Sequence, residues 1–172
     1  MPLTLWGHPI LDLVTVPLSD AEFGAELVDL TERMLRVMYA AHGAGLAAPQ
    51  VGIAKRLFVF DCEGQRGVVA NPVIIERSVS LSEDHEGCLS VPGFYWPTPR
   101  ASSVVVQGRD AYGESVTVRS TGYLARCLQH ETDHLDGQLY LSRLRGRLGK
   151  IARSSARQAG WYGRPHQFIA ID

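Results

Sequence analysis

The most regular pattern of apolar and polar positions lies between residues 25 and 41. Leu27, Leu30, Met34, Val37, Met38 and Ala41 recur at steps of three and four, with Asp29, Glu32, Arg33 and Arg36 opposite them. That period places one apolar stripe along a helix and predicts an amphipathic helix packed on a core. Ser19-Asp20-Ala21-Glu22 has the form of a capping box ahead of it, and Gly43 lies just past its end. The pattern changes over residues 55–62, where Leu57-Phe58-Val59-Phe60 is a short unbroken apolar run and predicts a strand. A turn comes next at 63–67. Residues 68–70 and 73–76 read as two more strand segments interrupted by Asn71-Pro72. Residues 102–107 and 114–118 predict an antiparallel hairpin joined through Gly113.

Three stretches stand outside this strand pattern. Residues 1–18 hold Pro2, Pro9 and Pro17 and are expected to run extended over the surface. In residues 83–93, acidic side chains lead into Gly87-Cys88, and Pro92-Gly93 reads as a turn. In residues 121–137, Leu124, Leu128 and Leu135 have helical spacing, Thr121 suits the cap and Gly137 the stop. A basic segment from Arg143 to Arg157 predicts a C-terminal helix with Arg143, Arg145, Arg147, Lys150, Arg153 and Arg157 exposed. Beyond it, residues 161–172 carry no usable period. No repeat, linker or low-complexity tract interrupts the chain, which is expected to form one domain over residues 1–172.

Composition narrows the function classes. The 172 residues are 45% hydrophobic and 20% charged, ordinary for a packed fold, and the net charge of -1 gives no basic field that would favour DNA. Three cysteines, Cys62, Cys88 and Cys127, are too few and odd in number for a disulfide framework. They point to a reducing compartment, with any special cysteine catalytic or metal-binding. No stretch nears 18 apolar residues, and no basic segment with an apolar core opens the sequence, so a cytoplasmic protein without a membrane span is expected.

The second helix carries the candidate chemistry. His130 and His134 are four positions apart, so both imidazoles face one side of a helix and can hold one metal ion. Glu131 follows the first ligand and can reach a metal-bound water without ligating the ion. A third ligand is needed. Cys127 is seven positions from His134, about 10 Å along a helix, and its side chain is too short to close that gap. Cys127 is therefore expected as a wall of the site. Cys88, on a separate segment beside the permissive Gly87, is the better choice, and His85 reads as an exposed loop histidine. One thiolate and two imidazoles leave a fourth position for water, as in catalytic rather than structural sites, and suit Zn²⁺ or Fe²⁺. Water held there has its pKa lowered toward neutrality, and Glu131 would take its proton and deliver it to the leaving group. Hydrolysis of a carbonyl compound is the class implied. The glycine-rich run from Gly43 to Gln50 lacks the Gly-Lys-Ser/Thr of a phosphate loop, so nucleotide binding is not supported.

Three segments together resemble one family. Gly43-Ala44-Gly45-Leu46-Ala47-Ala48-Pro49-Gln50, Glu86-Gly87-Cys88-Leu89-Ser90 and Gln129-His130-Glu131-Thr132-Asp133-His134 are similar, in order and spacing, to the three signature motifs of peptide deformylases. The similarity runs from about Trp6 to about Leu144. The resemblance implies an α+β fold in which a central metal-binding helix packs among antiparallel sheets, with an N-terminal helix and a C-terminal helical segment. It implies removal of the N-formyl group from the initiator methionine of nascent polypeptides. A monomer is expected, and the basic segment from Arg143 to Arg157 either touches the ribosome transiently or is a solvated helix face. Fe²⁺ is the implied metal, with Zn²⁺ or Ni²⁺ as substitutes, on Cys88, His130 and His134, and Glu131 is the implied acid/base. The Gln50 side chain and the Leu89 backbone N–H would stabilise the oxyanion. The backbone of Gly43, Gly45 and Leu46 would pair with an extended peptide, Cys127 would line the methionine pocket and Arg100 would lie near the substrate path. Two positions depart from the pattern: His8, where an acidic residue is common, and Arg126, where many members have an apolar pocket residue, so that Arg126 either alters the pocket or points to solvent. The rival readings are a zinc endopeptidase built on the same helix, a silent relative that only binds nascent chains, and a deformylase relative acting on a small metabolite.

Overall fold

The computed structural model describes residues 1–164 and the backbone of residues 166 and 167. Its centre is an antiparallel sheet of five strands. These are β2 (Gly45–Ala47), β3 (Leu57–Cys62), β4 (Gln65–Arg77), β7 (Ser103–Arg109) and β8 (Ser115–Thr121), in the order β2-β3-β4-β7-β8. Two further strands, β5 (Leu81–Cys88) and β6 (Val91–Ala101), form a separate ribbon, and β1 (Leu3–Thr4) pairs with β9 (His166–Gln167). The helices are α1 (Ala25–Ala40), α2 (Gly122–Leu135) and α3 (Gly146–Arg157). This is the mixed α+β architecture implied by the resemblance.

The sheet is covered on both faces, which explains the unbroken apolar run in β3. Successive strand side chains point to opposite faces. Leu57 and Val59 therefore join the cluster formed with Leu27, Leu30, Met34 and Met38 of α1. Phe58, Phe60 and Cys62 face the other way and pack with Leu124, Cys127 and Leu128 of α2. A third cluster, with Val91, Tyr140, Leu141, Leu144, Ala152 and Ala156, seats α3 beside the ribbon.

Several sequence expectations need correction. Ser19 and Glu22 do form a capping box, but it closes a short 3-10 turn, Asp20–Glu22, and α1 starts afresh after Gly24. Asn71-Pro72 does not divide two strands. It is an irregularity inside the single strand β4, with the register shifting between Ala70 and Val73. Asn71 takes a left-handed φ of 51, and its side chain bridges to Leu18 by accepting from the Leu18 N–H at 2.7 Å and donating to its carbonyl at 2.9 Å. Residues 83–93 are the β5–β6 hairpin and not a loop. Its tip is Leu89-Ser90, so Pro92 and Gly93 lie within β6. Thr121 makes no side-chain cap on α2; the Glu63 carboxylate accepts from the Leu124 N–H at 3.0 Å in its place. Gly137 does end α2, with φ 67 and the Asp12 backbone against its open side. On the basic segment, Arg143 binds Asp133 and Arg153 binds the carbonyls of Leu141 and Leu144, so neither is freely exposed. Residues 165 and 168–172 fall outside the described residues.

Candidate active site

Helix α2 is buried along nearly its whole length, and its metal motif faces the ribbon. His130 and His134 are 7% and 0% exposed. The Nε2 atoms of the two rings lie 3.2 Å apart, and Cys88 Sγ, brought in at the end of β5, lies 3.2 Å from His134 Nε2. All three donor atoms fall within 4.8 Å of one another. A tetrahedral site with bonds of about 2.0–2.3 Å has edges of about 3.3–3.8 Å, so the spacing fits a shared ion. The electrostatics fit as well. Burial pushes the His134 ring well below its ordinary pKa, leaving it neutral. Burial also opposes charge on His130, but the Cys88 sulfur and the Glu86 carboxylate outweigh it and raise its proton affinity. His134 thus presents a neutral ring, and His130 is the ring that draws positive charge.

Behind the donors lies an ionic network absent from the sequence expectations. Glu86 Oε1 faces His130 Nδ1 at 2.6 Å, which directs the other ring nitrogen, Nε2, toward Cys88 and His134. Arg100 binds Glu86 with a two-pronged fork at 3.0 and 2.6 Å and reaches Asp133 at 2.6 Å; Arg143 also binds Asp133. Burial alone would raise the Glu86 carboxyl, but the Arg100 fork and His130 hold it well below the usual carboxylate range. Arg100, expected beside the substrate path, is therefore buried beneath the site at 4% exposure, where its guanidinium aligns the His130 support. Arg126 does not point to solvent either. It is 3% exposed and bonded to Glu86. The sequence offered faint signals for this network: Glu86 and Asp133 both lie inside the quoted motifs, but nothing in the spacing pairs them with arginines 14 and 10 positions away.

The remaining candidates surround a cavity of about 550 Å³ in front of the donors. Glu131, Gln50, Leu89, Cys127, Gly43 and Gly45 all line it. Burial pushes the Glu131 carboxyl up to about 7, against the pull of His130, and its Oε2 has no hydrogen-bond partner among the described residues. The Gln50 amide is fixed at one end by accepting from the Ala47 N–H at 2.8 Å, which aims its Nε2 at Ser90 Oγ, 3.3 Å away, and Cys88 Sγ, 3.6 Å away. Leu89 sits at the ribbon tip, next to Cys88. Strand β2 is the edge of the five-stranded sheet, so one side of its backbone has no strand beside it among the described residues. Gly45 must be glycine: a Cβ there would lie 2.6 Å from Glu131 Oε1 and 2.8 Å from Cys127 Sγ. Leu46 faces away, fully buried against α1, and does not line the cavity. His85 is exposed, as expected, but on a strand rather than a loop, at the cavity mouth.

Comparison with known proteins gives a consistent result. Residues 1–148 match the family model described as polypeptide deformylase. A peptide deformylase of Mycobacterium sp. (strain JLS) is 44% identical, over 94% of this chain and 89% of the relative. Peptide deformylase 2 of Streptomyces coelicolor is 46% identical over 94% and 92%. Among solved structures, the peptide deformylase of Thermus thermophilus superposes with a TM-score of 0.80 at 42% identity, covering 91% of this chain and 90% of that one. A Synechococcus elongatus peptide deformylase in complex with actinonin gives 0.84 at 38%, covering 95% and 91%.

Proposed function

The chain belongs to the polypeptide deformylase family, and we propose that it hydrolyses the N-formyl group from the initiator formyl-methionine of nascent polypeptides, releasing formate. The observation that carries this reading is the placement of Cys88, His130 and His134 at the back of one cavity whose walls hold Glu131, Gln50 and a sheet edge. A divalent cation held by Cys88, His130 and His134 would polarise the formyl carbonyl and lower the pKa of a coordinated water. Glu131 serves as the base that takes the water proton and, once protonated, gives it to the departing amine. A carboxyl raised to about 7 by burial can hold and release that proton near neutrality. Gln50 Nε2 and the Leu89 N–H donate to the oxygen that gains charge as the carbonyl carbon becomes tetrahedral. The free edge of β2 at Gly45 and Leu46, with the backbone of Gly43 just before it, pairs with the substrate chain without regard to its side chains. The cavity beside Cys127 takes the methionine.

Three finer features belong to the same reading. The resident ion is Fe²⁺, with Zn²⁺ or Ni²⁺ as substitutes, in keeping with a mixed sulfur and nitrogen donor set. The protein works as a cytoplasmic monomer. Arg145, Arg147 and Lys150, exposed on and just before α3, make transient contact with the ribosome. Among the described residues no helix is long and apolar enough to cross a membrane.

Incubation of the purified protein with formyl-Met-Ala and with an unformylated peptide tests the activity. Formate and a free amine released only from the formylated substrate are expected. Cleavage of an internal peptide bond would support the endopeptidase instead. Metal analysis of anaerobically purified protein tests the choice of ion.

A further inference from the structure

Arg126 is a buried charge beside the substrate cavity that the mechanism above does not use. It lines the cavity next to Cys127 and Glu86, yet its guanidinium is committed to the ribbon. Nη1 donates to Glu86 Oε2 at 2.8 Å and to the Thr98 carbonyl at 2.6 Å. Nη2 donates to the Ser82 carbonyl at 3.1 Å and to Ser82 Oγ at 3.2 Å, with the exposed Asp84 carboxylate 3.7 Å away.

The consequence lies in Glu86, which also lines the cavity. Its Oε1 faces His130 and the Arg100 fork, so it is occupied whatever Arg126 does. Its Oε2 is shared between Arg100 Nε at 3.0 Å and Arg126 Nη1. Arg126 therefore fills the last place on a carboxylate that would otherwise offer an oxygen to a ligand. It also brings a third guanidinium, with Arg100 and Arg143, to the two buried carboxylates Glu86 and Asp133. A buried ammonium reaching toward Glu86 would lose its hydration and find no free acceptor on that carboxylate.

We propose that Arg126 is a specificity-determining residue that makes the cavity accept a neutral, unbranched side chain and reject an ammonium of the same length. It acts by occupying Glu86 Oε2. The inference rests on the reading that this cavity receives the side chain of the formylated residue.

The test compares kcat/KM for formyl-Met-Ala and formyl-Lys-Ala in the metal-loaded wild type and in Arg126→Met, Arg126→Gln and Arg126→Lys. The Met and Gln variants should raise the lysine-to-methionine ratio by about tenfold or more, and the Lys variant, which keeps a cation beside Glu86, should leave it near the wild-type value. Gln retains a donor for the Thr98 or Ser82 carbonyl, so it answers the question if the Met variant does not fold. An unchanged ratio in a folded neutral variant overturns the proposal. A second arm needs no variant: the wild type should turn over a formyl-6-hydroxynorleucine peptide better than the formyl-Lys peptide, and equal rates would contradict discrimination by charge. If the wild type releases no formate from formyl-Met-Ala, the deformylase reading fails. If it does and the ratio stays put, only the role of Arg126 fails.

Discussion

Glu131 and Gly45 show how tightly the chemistry is set at single positions. Replacing Glu131 with Gln keeps the shape of the side chain and removes its ability to take a proton. Turnover of formyl-Met-Ala is expected to fall by about 10²–10⁴-fold or more. Metal content should stay at the wild-type level, and loss of metal would show that Glu131 holds the site structurally. Gly45→Ala acts on the same carboxylate from the other side. Its methyl group would sit 2.6 Å from Glu131 Oε1, so one of the two must move. A displacement of that order should cost about a hundredfold in kcat/KM while the circular-dichroism melt stays cooperative. The His-x-x-x-His pair and the glutamate were legible in the sequence because helix geometry alone places them. The glycine was legible only as permissive backbone, since what it makes room for comes from α2, much later in the chain.

At the scale of elements, the periodic segments were readable and their ends were not. Helix α1 and the β7–β8 hairpin lie where their patterns put them, because amphipathic spacing records which face is buried. The caps depend on groups from elsewhere. Glu63, from the turn after β3, satisfies the first turn of α2 where Thr121 was expected to act. Glu63→Ala should accordingly lower stability by about 1 kcal/mol in urea unfolding, whereas Thr121→Ala should change it far less. A second end condition is sensitive to pH. The Glu22 carboxyl is brought down to about 2 from an ordinary value of 4.5 by its bond to Lys55 and by Ser19. Its folded-state pKa is depressed, so the stabilisation is fully present above about pH 4.5 and is lost as pH falls toward 2. The melting temperature of Glu22→Gln should therefore lie below that of the wild type at pH 6, and the gap should close between pH 4.5 and 2. A gap that persists at pH 2 would assign the effect to shape and not to charge.

For the molecule as a whole, the site lies where the ribbon meets α2 through ion pairs, hydrogen bonds and apolar packing. Cys88 belongs to the ribbon, and His130 and His134 to the helix buried under the central sheet. An ion shared among them, as proposed, would crosslink the two bodies, so removing it with a chelator should lower the melting temperature by about 5–10 °C. Added Zn²⁺ or Ni²⁺ should restore it. The network of Glu86, Asp133, Arg100, Arg126 and Arg143 performs the same joining without metal. It was the least legible feature of the sequence, because arginine and carboxylate side chains on separate elements leave no period. Composition treats such residues as ordinary surface charge, and only the folded arrangement shows that Arg100 and Arg126 are nearly inaccessible.

On the pairing proposed above, the length of β2 limits how much of a nascent chain the protein would hold. Three residues of strand span about 10 Å. An edge so short would grip only the first few residues behind the formyl group and, acting through main-chain atoms, would read no message in them. Formyl removal would then depend on when a chain end emerges and hardly at all on the residues behind it. A grip so short would also let the trimmed chain leave readily, so that one molecule would serve many newly started chains in turn.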